Sequence, residues 1–386
     1  MKKVRFGILG VGNIGGMHSK NILDGKCPEV ELSAVCDLKR EILDDFVKEH
    51  PQVAVFEDAE TMMDSGLCDA ILVAVPHYDH PKYAIMAMEK GLHVLVEKPA
   101  GVYTKQVLEM NAVADKHSVK FGLMMNQRTN CIYRKMREIV KSGEMGQIKR
   151  TSWIITDWYR PEAYYKSGGW RATWSGEGGG VLLNQCPHNL DLWQWICGLP
   201  SKVEAKLHYG KWHDIEVEDD VTAYCEYENG ATGIFVTTTG DCPGTNRFEI
   251  TLEKGKLVCE GGKLLMWKSE ISEPEFSRTN EKPFGWMEFT ESEVETDGEN
   301  PQHCGVINAF AGAILRDEPM VADGREGIYG LTLSNAMHLS SWLGKEIVLK
   351  DLDHDLFYSE LEKRIKSSRG KKEVKEVKRV NMDDSF

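Results

Sequence analysis

Residues 4 to 124 alternate short β-rich runs with amphipathic helical stretches, whereas the later β-rich runs follow one another directly. The first pattern predicts a doubly wound parallel α/β sheet, because strands alternating with helices at this spacing are joined by right-handed crossovers. The second predicts an α+β domain with a large, mainly antiparallel open sheet. A chain of 386 residues has room for both and exceeds a lone small module.

In the first domain, strands are expected at 4–9, 31–36, 53–56, 70–75, 93–96 and 119–124, with helices at 15–24, 39–49, 79–90 and 104–117. The continuous apolar run at 70–75 suits a strand covered on both faces. After a helix at 131–142, closed by Ser142-Gly143, strands are expected at 150–158, 203–211, 221–227, 231–238, 246–252 and 263–267. Glu228-Asn229-Gly230 reads as a hairpin turn. Helical patterns at 181–197, 303–316 and 325–343 are expected to cover one face of that sheet, the other being free for an oligomer interface. The expected division is 1–125, 126–350 and a charged tail at 351–386. From Lys363 to Arg379 that tail carries nine Lys/Arg against two Glu, which reads as a solvated, frayed helix.

Composition narrows the function. Hydrophobic residues at 41% and charged residues at 28% fit an ordinary folded protein. Forty-seven Lys and Arg against sixty Asp and Glu give a net charge of −13, which repels a phosphate backbone and disfavours nucleic-acid binding. The longest aliphatic run, 70–75, falls far short of the ~20 residues a membrane helix needs. Met1-Lys2-Lys3 leads into a strand-like segment rather than a signal peptide, so no membrane and a cytoplasmic location are expected. Ten cysteines include no C-x-x-C pair and no zinc-like cluster, so free thiols and no metal are expected.

Three motifs carry chemistry. Gly10-Val11-Gly12-Asn13-Ile14-Gly15 follows the first strand and opens the first helix. Gly10 permits the tight turn, Gly12 lets the backbone approach a pyrophosphate, and Gly15 allows close packing, while the helix N-terminus offers N–H groups to the anion. Asp37, at the end of the second strand, is placed to accept from a ribose hydroxyl. Lys39 and Arg40 beside it could hold a 2′-phosphate, so NAD is expected and NADP stays open. The second motif is Glu97-Lys98-Pro99 at the carboxyl end of the fifth strand, where open α/β sheets bind ligands. A desolvated lysine there is a usable proton acceptor or donor. The third, Gly178-Gly179-Gly180 running to Asn184, His188 and Asp191, puts the last three at i, i+4 and i+7, one face of a helix. His188 would then take a proton, Asn184 would place the substrate or the ring, and Asp191 would orient the imidazole. Taken singly, Lys98 reads first as a solvated loop lysine, since most lysines are on the surface, and His188 first as a satisfied core histidine. Trp153, Trp158, Trp170, Trp174, Trp193 and Trp195, with Tyr159, Tyr164 and Tyr165, fit core packing or a platform for sugar faces.

With these motifs in place, the sequence resembles the glucose-fructose oxidoreductase / inositol dehydrogenase / rhizopine-catabolism (Gfo/Idh/MocA) family of NAD(P)-dependent sugar and polyol dehydrogenases over about residues 3–350. The matching parts are the loop 10–15, Val75-Pro76 with His80, Glu97-Lys98-Pro99, Trp170-Arg171, the triple glycine and His188-x-x-Asp191. The resemblance implies a Rossmann cofactor site from Gly10, Gly12, Asn13, Ile14, Gly15, Asp37, Leu38, Val75, Pro76, His80, Glu97, Lys98, Asn126, Trp170 and Arg171. It implies catalysis by Lys98 and His188 with Asn184, and a substrate site from Lys98, Arg128, Asp157, Tyr159, Asn184 and His188. Many members carry Asp where this chain has Asn184; an amide cannot relay a proton, so the base role falls on His188 or Lys98.

The implied function is hydride transfer between nicotinamide and a secondary hydroxyl of a sugar, a glycoside (C3 of a glucoside among the candidates) or a cyclitol. The implied partners are that small carbohydrate and further copies of the chain, as dimer or tetramer. Two rivals stay open: a redox glycosidase that oxidises, eliminates and keeps its NAD, and a non-catalytic nucleotide-dependent sensor.

Overall fold

The computed structural model describes residues 2–371. Its first sheet has six parallel strands, β1 (Val4–Leu9), β2 (Val30–Cys36), β3 (Ala54–Phe56), β4 (Ala70–Val73), β5 (His93–Val96) and β6 (Phe121–Leu123). Connecting them are α1 (Asn13–Leu23), α2 (Arg40–Glu49), α3 (Ala59–Asp64), α4 (His80–Glu89) and α5 (Thr104–Ala114). The order β3-β2-β1-β4-β5-β6 is doubly wound. All four residues of β4 are fully buried, as its unbroken apolar run requires. Strand order reverses between β1 and β4, and the crevice that opens there at the carboxyl ends is the ligand position of such sheets.

The chain continues through α6 (Cys131–Ser142), β7 (Ile148–Ile155), α7 (Glu162–Lys166), α8 (Pro187–Cys197), β8 (Lys202–Tyr209), β9 (Glu218–Glu226), β10 (Thr232–Thr238), β11 (Asn246–Leu252), β12 (Gly255–Glu260) and β13 (Lys263–Lys268). It closes with α9 (Glu273–Thr279), β14 (Thr290–Glu293), α10 (Gln302–Arg316), α11 (Gly327–Leu343), β15 (Ile347–Val348) and α12 (His354–Ser367). The second sheet runs β14-β13-β12-β11-β7-β10-β9-β8-β15, and every pair is antiparallel except β7 with β10. The turn at 228–230 joins β9 to β10, with Gly230 at φ +82° and Tyr227 N–H donating to Ala231 C=O at 2.9 Å. Trp153 anchors the covered face of this sheet, stacked on Phe248 at 4.3 Å, and Trp193 of α8 stacks on Phe235 at 5.4 Å.

Three expectations are corrected. The helix at 303–316 does not cover the second sheet. Val306, Ile307, Phe310 and Ala311 of α10 form one apolar face that packs on the first sheet, where Phe310 meets Phe6 edge-on at 6.1 Å. Residues from 351 onward are not all a charged tail. Phe357 and Leu361, one turn apart, are buried, and Phe357 stacks on Trp342 of α11 at 5.3 Å; both lie before the basic run that begins at Lys363. Burying the two side chains is worth roughly 1.5–3 kcal/mol each. Beyond α12, Ser368 Oγ donates to Glu216 at 2.6 Å and Lys371 Nζ to the Gly168 carbonyl at 2.6 Å; the stretch from 372 to 379 lies outside the described residues. Finally, the helix expected at 181–197 begins only at Pro187. Residues 181–186 form turns, and buried Glu218 pins their start: its carboxylate accepts from Gly180 at 2.8 Å and Leu182 at 3.0 Å, and its carbonyl accepts from Val181 at 3.0 Å. Proline then starts the helix, where its missing N–H costs nothing.

The ten cysteines are free thiols. Among the described residues, no helix is long and apolar enough to cross a membrane, and no group of three or more His, Cys, Asp or Glu could hold a metal.

Candidate active site

The glycine loop has the geometry its spacing predicts. Gly10 adopts φ +88°, and a Cβ there would lie 2.6 Å from the Ala74 carbonyl oxygen. A Cβ on Gly15 would lie 1.8 Å from the Gly10 carbonyl oxygen, whereas one on Gly12 would meet nothing within 4 Å. The first and third glycines are therefore packed against protein, and the middle one opens on the crevice. Helix α1 starts at Gly12 with no capping side chain and no carboxylate in its first turn, so the N–H groups of Asn13 and Ile14 suit a pyrophosphate. Asp37 stands at the end of β2, its Oδ2 accepting from Val11 N–H at 3.0 Å and its Oδ1 from Lys39 N–H at 2.9 Å. Those two bonds fix the carboxylate and leave lone pairs for a ribose diol. Beside it, Leu38 is 85% exposed, an apolar surface at the rim. Arg40 is held by Asp44 at 2.9 Å and Glu57 at 2.7 Å, which occupies the guanidinium a 2′-phosphate would need. These residues fit NAD.

Two further strand ends complete the crevice floor. His80 is buried with one ring nitrogen 2.8 Å from the Val75 carbonyl and the other 2.6 Å from the Pro99 carbonyl. It braces the loops after β4 and β5, which engages both ring nitrogens with backbone. Glu97 points beneath the floor, 2.6 Å from His18 Nε2 of α1, with His303 of α10 edge-on to His18 at 5.4 Å. It is a buried support for α1, with its other oxygen accepting from Lys98 N–H at 3.1 Å. Burial alone would raise the Glu97 carboxyl, but the His18 hydrogen bond and the charges of His18, His303 and Lys98 outweigh it and hold it below the usual range.

Lys98 reaches across the domain boundary, its Nζ donating to the Asn184 carbonyl at 2.9 Å. Burial pushes its ammonium down, with Glu97 opposing and Arg171 assisting. His188, in the first turn of α8, is buried and neither ring nitrogen has a protein partner. Burial, then the charge of Lys98, holds it well below the usual histidine range, so the imidazole is neutral. Asn184 sits in the turn before α8, not on the helix, so the expected i, i+4, i+7 alignment does not exist; the turn itself brings Asn184 to Lys98.

Asp191 does not orient His188. Its two oxygens accept from Arg128 Nε and Nη2, each at 2.7 Å, and Arg128 Nη1 donates to Glu326 at 2.6 Å. A buried guanidinium needs a carboxylate, and Asp191 supplies it. Arg128, 3% exposed, therefore ties the crossing segment to α8 and is not free as a substrate ligand. A depression of about 520 Å³ lies beside Arg128, Arg134 and Trp195, and neither Lys98 nor His188 lines it. Asn126 is buried, with Nδ2 donating to Gln302 and Oδ1 without a partner, an acceptor suited to a ligand.

The aromatic insert closes one side. Trp170 meets His77 edge-on at 5.5 Å, and Arg171 lies over the rings of Trp170 at 4.8 Å and Tyr164 at 4.6 Å. Tyr164 Oη accepts from Arg171 at 2.7 Å, Gln185 at 3.2 Å and Asn184 at 3.3 Å. Tyr78, just past β4, donates to the Trp174 carbonyl at 2.7 Å, a second bond between the domains. Asp157 and Tyr159 follow β7; Asp157 bonds Asn246 and its charge reaches Cys186, while Tyr159 is largely exposed. The sequence reading missed His18, His303, His77 and Glu177. The histidines carry no local signal, since His18 and His303 meet only in the fold; an acid directly before a triple glycine was the available cue for Glu177.

Comparison with known proteins agrees with this fold. Residues 4–125 match an oxidoreductase family with an NAD-binding Rossmann fold, and residues 133–258 match the GFO/IDH/MocA C-terminal domain. An uncharacterized oxidoreductase, YrbE, from Bacillus subtilis is 22% identical over 92% of this chain and 99% of its own. The D-glucoside 3-dehydrogenase of Escherichia coli is 26% identical over 59% of this chain and 68% of its own. The WlbA dehydrogenase of Bordetella pertussis, solved in complex with NADH and UDP-GlcNAcA, superposes with a TM-score of 0.78 at 26% identity, covering 92% of this chain and 99% of that one. With a doubly wound NAD-binding domain, an open glycine loop and a second domain of matching type, the chain is an NAD-binding oxidoreductase that belongs to the GFO/IDH/MocA family.

Proposed function

We propose that this protein is a dehydrogenase acting on a secondary hydroxyl of a sugar, glycoside or cyclitol, with C3 of a glucoside the first position to test. One observation carries the reading. Lys98, at the carboxyl edge of the NAD-binding sheet, is hydrogen-bonded to the turn that precedes His188, whose ring has no protein partner. Bound NAD supplies the hydride acceptor or donor; the protein's part is to hold the carbinol and move its proton. The neutral His188 imidazole accepts or returns the hydroxyl proton, and Lys98 with its lowered ammonium shares that task. Asn126 Oδ1 offers an acceptor to the bound ligand. The glucoside preference leans on the similarity to a D-glucoside 3-dehydrogenase.

The test is turnover of inositols, free sugars and glucosides with NAD or NADP, followed by the absorbance of reduced cofactor and by mass spectrometry. A product lighter by two hydrogens with stoichiometric NADH is expected. Cleavage of a glucoside without net NADH replaces this reading with a redox glycosidase, and silence across the panel replaces it with a nucleotide-dependent sensor. We further infer a homo-oligomer through the uncovered face of the second sheet, where Ile154, Tyr224 and Ile234 stand exposed; light scattering that returns one chain mass would overturn it.

A further inference from the structure

The turn that ends at Asn184 contains a carboxylate with no part in the account so far. Glu177 is 2% exposed, with Oε2 accepting from Ala172 N–H at 2.6 Å and Oε1 accepting from Asn184 Nδ2 in a short hydrogen bond. Asn184 Nδ2 also donates to Tyr164 Oη at 3.3 Å. While Glu177 is ionised, both amide hydrogens are thus engaged and Oδ1 is the end left to accept. The Asn184 carbonyl, meanwhile, holds Lys98 Nζ at 2.9 Å, so the same residue touches both the acid and the amine.

An amide moves no proton near neutral pH, so what Asn184 offers a substrate hydroxyl depends on which end it presents. Ionised, Glu177 only accepts and locks Nδ2 toward itself. Protonated, it gains one O–H, which can donate to Oδ1 and stabilise the reversed amide. The groups facing Glu177 pull in both directions. Arg171, on the same loop, favours the charge, as does Asn184; Glu218 on β9 opposes it, and Lys98 and Lys371 are near enough for its charge to raise their own ammonium groups. Tyr164 and Tyr165 of α7 are raised and stay neutral, and His77 meets the Glu177 backbone carbonyl rather than its side chain. Burial is the largest influence and pushes the Glu177 carboxyl up to about 7.

We propose that Glu177 is a positioning residue for the reaction, acting through Asn184: its carboxylate holds the amide with Oδ1 presented to the substrate hydroxyl, and protonation of Glu177 releases that hold. The kinetic consequence rests on the dehydrogenase reading; the coupling between the two side chains does not.

Two measurements on the full-length protein test it. The first needs no substrate: the side-chain amide resonances of Asn184, identified by their loss in Asn184→Asp, are followed from pH 5 to 9. They should titrate with a midpoint near 7 in the wild type and lose that midpoint in Glu177→Gln. Resonances that do not titrate near 7, or titrate unchanged in the variant, overturn the proposal. The second uses whichever sugar the panel identifies. Glu177→Gln should lower kcat at least tenfold and abolish the rise of kcat/KM with pH around 7, while NADH affinity changes less than twofold; Glu177→Asp should restore part of that rise. A Glu177→Gln protein with only a lowered melting temperature and an unchanged pH profile makes the residue structural and overturns the proposal. If that variant does not fold, Glu177→Asp and the wild-type resonances decide. A panel without turnover beside a coupled titration refutes the dehydrogenase reading and leaves the Glu177–Asn184 coupling standing.

Discussion

The molecule has two glycine-rich loops, and they do opposite things. In the loop 10–15, the outer glycines press on backbone while Gly12 faces open space. In the loop 178–180, all three are closed against protein: a Cβ would meet Val102 and Tyr78 from Gly178, Leu183 from Gly179, and the Glu218 carbonyl oxygen at 2.0 Å from Gly180. The first loop is a receptor built from one missing side chain. The second is a seam, where missing side chains let the turn carrying Asn184 lie flush on β9 and on the first domain. A run of glycines in a sequence therefore reports close approach, and only the neighbours tell whether protein or ligand does the approaching.

Substitutions can break this contrast, and the largest effect belongs to the seam. Gly180→Ala forces a Cβ into the Glu218 carbonyl and dislodges three hydrogen bonds, so it should cost about 3 kcal/mol or more and reduce the yield of folded protein in a thermal melt. Next comes the support under the receptor. The Glu97 carboxyl is held below its unfolded value, so its contribution to stability is present above about pH 4.5 and is lost as pH falls further. Glu97→Gln should cost roughly 1.5–3 kcal/mol at pH 7, and the gap to wild type should close on acidification, as read by melting temperature against pH. Gly12→Ala should leave the melt unchanged and weaken NADH at least about tenfold in a fluorescence titration, ~1.4 kcal/mol. An equal loss of stability in Gly12→Ala and Gly180→Ala would erase the distinction. The smallest effect is expected at Asp37→Ala, a several-fold loss of NADH affinity with less loss for NADPH, narrowing the preference without reversing it because Arg40 stays paired with Asp44 and Glu57.

The same contrast explains what the sequence revealed. The loop 10–15 was legible because strand, turn and helix are contiguous and Gly15 answers to Gly10 within the same loop, although Gly10 itself answers to Ala74. Lys98 and His188 were legible as residue types, and their approach to each other is what the fold supplies. The error at Asn184 came from extending a helical period back through turns whose start is pinned to Glu218, a residue far along the chain with no trace in the local pattern. Asp191 was given to its neighbour in sequence, His188, when a buried arginine from another segment had the stronger claim. Helix α10 has a clear apolar face, but a face does not say which sheet it will cover.

That last point has a bearing on how the protein is made. The first sheet is complete in sequence by residue 123, yet the face formed by Phe6, Ile8 and Leu72 waits for a helix that begins at Gln302. During synthesis this sheet leaves the ribosome with that face covered in part by Ile22 of α1 and by Leu43 and Phe46 of α2, and the part that α10 covers stays open while about 180 further residues are added. A sheet whose strands all lie before residue 124 is thus closed on this side by one of the later helices of the chain.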